Sequence, residues 1–184
     1  MRYHCESKNV HPAATRRAFS LVELIAVVVV ISIMAAVAIP AIGNLTLTRA
    51  AAAAQQLARD LTFARQQAAA RGVTVWVVLS TANESYSILA ESAATPGLAN
   101  ALTINDPATG QYFVQRFMSD EFIGVDLSAV SIGGVAGTHF GFDWLGRPQN
   151  LSGALLTSAS SVLINNGVHT VSVESQTGLV TVTP

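Results

Sequence analysis

The pattern of apolar and polar residues divides the chain into three parts, and the first is an apolar run near the N-terminus. Residues 24–39 are all apolar or small except Ser32, and no charge falls between Glu23 and Arg49. A helix of about 20 such residues crosses a hydrocarbon layer about 30 Å thick. The run therefore predicts a transmembrane helix over residues 19–43, with an ionisable side chain near its start.

A second helical pattern follows over residues 44–72. Apolar side chains recur there at three- and four-residue steps, and polar side chains occupy the other faces. The apolar positions are Leu45, Ala53, Leu57, Leu61, Ala64 and Ala68, and the polar ones are Arg49, Gln56, Arg59, Asp60, Arg65 and Gln66. Because Gly72 is a good terminator, we expect one nearly continuous helix from Ser20 to Arg71. Pro40 should kink it, as a hinge or as a tolerated distortion.

The third part, residues 73–184, changes to a period of two. Runs of β-branched residues in this part predict strands, and a long loop is expected over residues 93–110. The turn sequences at 165–167 and 176–178 predict two hairpins. The expected strands are Val73–Leu79, Tyr86–Leu89, Tyr112–Met118, Ile123–Leu127, His139–Phe142, Ser161–Ile164, Val168–Glu174 and Leu179–Thr183. We therefore expect an α+β fold in which the long N-terminal helix packs on a mostly antiparallel β-sheet head.

The distribution of charge distinguishes residues 1–18 from the rest. Four basic residues precede Phe19 against one acid, whereas residues 19–184 hold six arginines, no lysine and ten acids, a net charge of −4. The basic side marks the cytoplasmic end of the span, so the head is expected outside the inner membrane. An acidic chain is a poor ligand for nucleic acid. Cys5 lies in the basic segment, so the remainder can form no disulfide and no cysteine metal site.

The junction between these regions carries a recognisable motif, Ala18 followed by Phe19-Ser20-Leu21-Val22-Glu23-Leu24. It resembles the prepilin-type signal of type IV pilins and type II secretion pseudopilins, although glycine is usual at the position of Ala18. The resemblance implies that residues 1–18 are a leader, cut between Ala18 and Phe19 by a prepilin peptidase that also methylates the Phe19 amine. Pro40 also falls where the family usually has proline.

The same resemblance assigns a role to Glu23, which would be the fifth residue of the mature chain. It implies that its carboxylate meets the amine of Phe19 on a neighbouring subunit during assembly, which relieves the desolvation of both charges. Two alternatives stay open for Glu23, namely recognition by the peptidase alone and an interfacial position.

A conventional export signal cleaved near Ala36-Val37-Ala38 is an alternative to the prepilin-type signal as a whole. Such export signals, however, have a shorter apolar region without an acid at its head.

The C-terminal part extends the resemblance. Residues 142–148, with Gly146-Arg147, and the turn before Leu179 are similar to H-type minor pseudopilins and FimT-like minor pilins. This similarity implies a structural subunit without enzymatic activity or a cofactor, whose partners are other pseudopilins or pilins and an inner-membrane assembly platform. The rivals are a minor pilin of a type IV or MSHA-like pilus, a DNA-uptake pilin, and a membrane-anchored periplasmic enzyme using His139 and Asp143. Trp144, beside Arg147, is expected to pack under the Gly-Arg turn, and an exposed recognition patch is the alternative.

Overall fold

The computed structural model describes residues 20–184, except for the side chains of residues 37–44 and of Asp120. The predicted leader and the cleavage position at Ala18 and Phe19 therefore lie outside the described residues. The chain divides into two compact units, residues 1–41 and residues 42–184. The larger unit holds the second part of the helix and the whole β-rich head.

The first element is a helix, α1, which spans Leu21–Arg71. It ends as the sequence predicts, because Gly72 adopts φ 65° and donates its N–H to the carbonyl oxygen of Ala68 at 2.9 Å. The helical assignment includes Pro40, but the kink stays a prediction. Within the described part of the chain, no helix combines the length and the apolar character needed to cross a membrane. The transmembrane helix over residues 19–43 therefore stays a prediction as well.

The head consists of short strands and two 3₁₀ turns, at Leu98–Asn100 and Asp120–Phe122. In the described residues the strands are β1 (Val75–Ser80), β2 (Ser85–Ala90), β3 (Leu102–Thr103), β4 (Val114–Arg116), β5 (Leu127–Ile132), β6 (Val135–Ala136), β7 (His139–Phe142), β8 (Pro148–Gln149), β9 (Ser160–Ile164), β10 (His169–Val173) and β11 (Val180–Thr183). Seven of the eight expected strands appear with their ends within two residues of prediction.

The eighth expected strand, Ile123–Leu127, is wrong. Gly124 adopts φ 85° there, a left-handed conformation that interrupts an extended strand, and β5 begins only at Leu127. The apolar residues of this segment serve a turn instead, with Val125 buried and Ile123 exposed. Composition alone suggested a strand because isoleucine and valine are common in both settings.

The strands form two antiparallel sheets rather than the single sheet expected from the sequence. The first has the order β3-β2-β1-β7-β8, with β4 also paired to β2, and the second has the order β11-β10-β9-β5-β6. The β9–β10 and β10–β11 hairpins were predicted from their turns in the sequence. The split was not visible, because it depends on the distant pairings β1–β7 and β5–β9.

One hydrophobic core joins the helix to both sheets. The helix contributes a stripe of fully buried small and leucine side chains, which lets its backbone approach the sheets closely. These side chains are Ala50, Ala53, Ala54, Leu57, Leu61, Ala64 and Ala68. The α+β, pilin-like arrangement is therefore confirmed. The sequence also placed Leu45 on the apolar face of the helix that packs on the sheet. This prediction is wrong, since the Leu45 side chain is 52% exposed and the buried stripe begins only at Ala50.

Glu84 links the two sheets directly. It lies in the turn between β1 and β2 with φ 47°, and its carbonyl oxygen accepts the N–H of Phe117 at 2.7 Å. Its carboxylate Oε2 accepts the N–H of Leu127, the first residue of β5, at 2.5 Å. A side chain in the β1–β2 turn of the first sheet thus satisfies a backbone donor of the second sheet.

Asp60 is buried in the core, although its place in the helical pattern predicted an outer, polar face. The hydroxyl of Tyr86 donates to Asp60 Oδ2 at 2.5 Å, and Gln56 Nε2 donates to the same oxygen at 3.2 Å. Burial raises the pKa of Asp60, and these two hydrogen bonds oppose that shift only in part. Burial and the Asp60 charge also raise the pKa of Tyr86, which keeps its hydroxyl a donor.

The raised pKa of Asp60 predicts a stability that falls as the pH rises. The folded chain keeps this proton at a pH where the unfolded chain, with an aspartate pKa near 3.9, has lost it. The contribution is therefore fully present below the unfolded pKa and lost as the pH rises through the folded pKa. The D60N variant, whose amide oxygen still accepts from Tyr86, should lack this loss.

Urea unfolding of the two proteins at pH 4 and pH 7 checks this expectation. The stability of D60N relative to wild type should increase from the lower to the higher pH. The exposed carboxylate of Glu174 provides the matched control, and E174Q should follow the wild type at both pH values. An equal difference between D60N and wild type at the two pH values would show that Asp60 titrates as an ordinary surface carboxylate.

Candidate assembly site

Glu23 lies in the first turn of α1, which Ser20 caps. The N–H of Glu23 donates to Ser20 Oγ at 3.1 Å, and the N–H of Leu24 donates to the Ser20 carbonyl oxygen at 3.2 Å. A serine at this position satisfies an N–H group that has no partner within the helix. Among the side chains that the structure describes, none donates a hydrogen bond to the Glu23 carboxylate, and Glu23 is exposed.

A long apolar surface follows Glu23 along the helix. From Leu21 to Met34 the large apolar side chains are between 50% and 75% exposed. They are Leu21, Val22, Leu24, Ile25, Val27, Val28, Val29, Val30, Ile31, Ile33 and Met34. An apolar surface of this extent marks a site of contact with lipid or protein. One accessible carboxylate at the start of such a surface is suited to meeting a cation on another molecule.

The turn after β7 is held by Asp143. Its Oδ1 accepts the N–H groups of Leu145 at 3.0 Å and Arg147 at 2.8 Å. Its Oδ2 accepts hydrogen bonds from Nε of Arg147 at 3.0 Å and from Nη2 of Arg147 at 2.8 Å. The arginine of the Gly-Arg motif is therefore paired with the aspartate of the same turn. Asp143 and Arg147 therefore stabilise a turn, and the pairing of Asp143 with His139 that an enzyme would use is not formed. His139 Nδ1 instead lies 2.9 Å from Thr138 Oγ1.

The same turn contacts both the helix α1 and the β10–β11 hairpin. Arg65 Nε on α1 donates to the carbonyl oxygen of Gly146 at 3.2 Å. Gly178, in the turn before β11, approaches that carbonyl so closely that a Cβ there would lie 2.1 Å from the oxygen. Both turns were predicted from the sequence. The hydrogen bond from Arg65 was not predicted, because Arg65 and Gly146 are 81 positions apart in the chain.

Trp144 does not pack under this turn as the sequence suggested. Its side chain is 60% exposed, and the neighbouring Leu145 is 49% exposed. The hydrogen bonds of Asp143 fix the turn from inside, so no aromatic side chain is needed beneath it. Within the described residues, no three histidine, cysteine, aspartate or glutamate side chains form a group that could hold a metal ion.

Comparison with known proteins gives a consistent result for the head. A family model described as Type II transport protein GspH matches residues 53–178. Two structures of the minor pseudopilin EpsH from the type II secretion system of Vibrio cholerae are similar, with TM-scores of 0.50 and 0.54 and sequence identities of 14% and 13%. Both alignments cover 73% of this chain, and they cover 96% and 93% of the respective EpsH chains.

A type IV minor pilin, FimU from Pseudomonas aeruginosa, aligns with a TM-score of 0.46 and 15% identity, over 72% of this chain and 87% of that one. Comparison with curated proteins gives no significant match. The EpsH structures share the fold of the head, and the family model covers more than half of the chain. The chain therefore belongs to the GspH family of type II transport proteins, and it has the pilin-like fold of a minor pseudopilin.

Proposed function

We propose that this chain is a minor pseudopilin that is cleaved between Ala18 and Phe19, methylated on the Phe19 amine and assembled through α1 into a type II secretion pseudopilus. One observation carries the proposal. The helix places Glu23 at the start of a long exposed apolar surface, while the head buries a complete core of its own. The apolar segment of α1 is exposed and therefore available to a partner, whereas the later part of the same helix, from Ala50 to Ala68, belongs to the core of the head.

Assembly would pair Glu23 with the amine of Phe19 on a neighbouring subunit. Either charge alone is costly to bury in the apolar interior of a filament, but the two together relieve each other's desolvation. The pairing also fixes the axial register between neighbouring helices, because the large apolar side chains after Glu23 are similar to one another and do not define a register by themselves.

Before assembly, the apolar segment would hold the precursor in the inner membrane by a single span. Arg16 and Arg17 keep the N-terminus cytoplasmic, which places the head in the periplasm. Pro40 would be the position where the helix bends when the subunit leaves the bilayer for the filament. The partners are then the prepilin peptidase and methylase, the inner-membrane assembly platform, and the other pseudopilins, with minor subunits meeting at the filament tip.

A minor pilin of a type IV or MSHA-like pilus is the second candidate, because the motif at residues 18–24 is common to both systems. The genes beside that of this protein would separate the two. Binding of DNA during uptake is disfavoured, since no lysine or arginine follows Arg147 and that side chain is paired with Asp143. The periplasmic enzyme is disfavoured because Asp143 is fully used by its turn.

Intact mass and N-terminal sequencing of the membrane-extracted protein test the proposal. Expressed with its prepilin peptidase, the chain should begin at N-methyl-Phe19, and without the peptidase it should keep the leader. A chain that begins after Ala38, or that keeps Met1 in the presence of an active peptidase, would contradict the filament function and favour an exported or anchored domain.

A further inference from the structure

The outer face of the first sheet carries a buried tryptophan. Val75 and Val77 of β1 belong to the core that includes α1, so Trp76 between them points to the opposite face. Paired residues of neighbouring strands share a face, and Trp76 is followed across the sheet by Gly141 of β7 and then by Gln149 of β8. Trp76 is nevertheless only 1% exposed. Loops outside the strands therefore cover this row of residues.

A cavity of about 410 Å³ lies between two of these loops, residues 96–97 and residues 151–153, and is lined by Trp76, Glu91 and Gln149. We call it the Glu91 cavity. Its volume is within the range of small-ligand sites.

Both walls of the Glu91 cavity are held by hydrogen bonds. In one loop, Asn150 Oδ1 accepts the N–H of Ser152 at 3.0 Å, the Ser152 hydroxyl at 2.7 Å and the N–H of Ala154 at 3.1 Å. In the other loop, Gly97 adopts φ 110° and donates its N–H to Glu91 Oε1 at 2.8 Å. The cavity is therefore a fixed part of the folded head.

Hydrogen-bond donors of the cavity are directed into the protein. Trp76 Nε1 donates to Glu91 Oε1 at 2.7 Å. Gln149 Nε2 donates to Thr74 Oγ1 at 3.1 Å. The Ser152 hydroxyl is used within its own loop. These donors are therefore not available to a ligand.

Two acceptor oxygens remain. Among the described residues, none donates a hydrogen bond to Glu91 Oε2 or Gln149 Oε1, and no arginine forms an ion pair with Glu91. Gln149 is only 8% exposed, and no buried side-chain oxygen in the described part of the chain lacks a partner. Gln149 Oε1 is therefore reached from the cavity that this side chain lines. A carboxylate and an amide oxygen that only accept match a ligand that carries several donors and a positive charge.

The guanidinium group of arginine fits these acceptors best. Its N–H donors form a planar fork that reaches two separate acceptors at once. The ammonium group of lysine is a compact point charge that holds water more strongly. Pro96 and Leu151 in the walls supply apolar surface for the methylene groups of an arginine side chain. A calcium ion is a poorer match, because it takes about six to eight oxygen ligands.

We propose that the Glu91 cavity binds an arginine side chain presented by a neighbouring pseudopilin. The recognition of a guanidinium group depends on the cavity alone, whereas the identity of the partner rests on the proposed function, which places other subunits beside this head. The contact would let the head distinguish among sibling subunits, because a neighbour without an arginine at this position would cover the Glu91 carboxylate without compensating it.

Binding of N-acetylargininamide to the purified full-length chain in detergent tests the recognition step. Equilibrium dialysis should show binding that is about tenfold weaker for N-acetylcitrullinamide, which keeps the shape of the side chain without its charge. The E91Q variant should lose binding to the same extent, while its amide oxygen still accepts from Trp76 and Gly97. E174Q, which removes an exposed carboxylate elsewhere in the head, is the matched control and should bind as the wild type does.

Tryptophan fluorescence locates the bound arginine. The chain has two tryptophans, so in a W144F background the emission reports Trp76 alone. Capped arginine should change this emission in a saturable way, with the affinity found by dialysis. Equal binding of the arginine and citrulline compounds, or binding that leaves the Trp76 emission unchanged, would overturn the proposal. Both comparisons use the Glu91 side chain intact, so they hold even where E91Q does not fold.

Photocrosslinking in cells that produce the whole secretion system identifies the partner. A benzophenone amino acid in place of Leu151, which is 55% exposed at the cavity wall, should crosslink to another pseudopilin, and E91Q should reduce that product about tenfold. If capped arginine binds but no pseudopilin is crosslinked, the partner is wrong and the ligand is a free guanidinium compound. N-terminal sequencing of the same samples tests the proposed function separately, since a chain that does not begin at Phe19 contradicts that function whatever the cavity binds.

Discussion

The E23Q substitution is expected to abolish incorporation of the subunit into the filament while leaving cleavage after Ala18 intact. Glutamine keeps the size of the side chain and the hydrogen bond that the backbone of this position makes to Ser20. It removes the charge that would compensate the methylated amine of Phe19 on the neighbouring subunit. Leaving one partner of a buried ion pair uncompensated costs about 3–5 kcal/mol, which weakens the pairing more than about 100-fold.

Crosslinking to sibling subunits and secretion of a substrate measure this effect, and N-terminal sequencing confirms that processing is unchanged. The control is E174Q, which removes an exposed carboxylate from the head and should assemble normally. Normal crosslinking of E23Q would exclude the ion pair as the basis of assembly. Failure of cleavage in E23Q would instead favour the alternative in which Glu23 serves recognition by the peptidase.

The G178A substitution is expected to be the most damaging small change in the head. Its new Cβ would lie 2.1 Å from the carbonyl oxygen of Gly146, and Gly178 adopts φ 65°, which strains any other residue. The collision falls on backbone, so a side-chain rotation cannot relieve it, and the Arg65 contact with the same carbonyl is lost when the turn moves. Overpacking and backbone strain together should cost about 3–5 kcal/mol.

Thermal unfolding followed by circular dichroism checks this value, and the expected fall in Tm is about 10–20 °C. The matched control is G110A, since Gly110 adopts φ 71° with nothing within 4 Å of the position of a Cβ. It isolates the cost of the backbone conformation, about 1 kcal/mol. Equal losses in the two variants would mean that the contact between Gly146 and Gly178 does not constrain the head.

The sequence predicted the elements of this fold better than their arrangement. A 3.6-residue period and a terminating glycine define α1 to within one residue at each end, because helix formation depends on neighbouring residues. Turns such as Asn165-Asn166-Gly167, with positive φ at all three residues, fix hairpins locally in the same way. The division into two sheets depends on strands that are distant in sequence, and no local pattern encodes such pairings.

The prediction of the candidate site was uneven for the same reason. Glu23 was found from the motif around it and from the cost of an acid beside an apolar run. Asp60 was assigned to the outer face, because a helical pattern shows which side chains are polar but not that the Tyr86 hydroxyl lies opposite one of them. Trp144 was expected to be buried, because the compensating hydrogen bonds of Asp143 were not visible in the sequence.

The link that Glu84 makes between the sheets has a consequence for cooperativity. The two sheets share one core and one helix, and the Glu84 carboxylate is the acceptor for the first N–H of β5. Opening either sheet would therefore leave a buried donor unsatisfied and expose the core of the other. The head should unfold in a single all-or-none transition. Proteases would then meet few partly open molecules, so the lifetime of the free subunit would be set by its global stability.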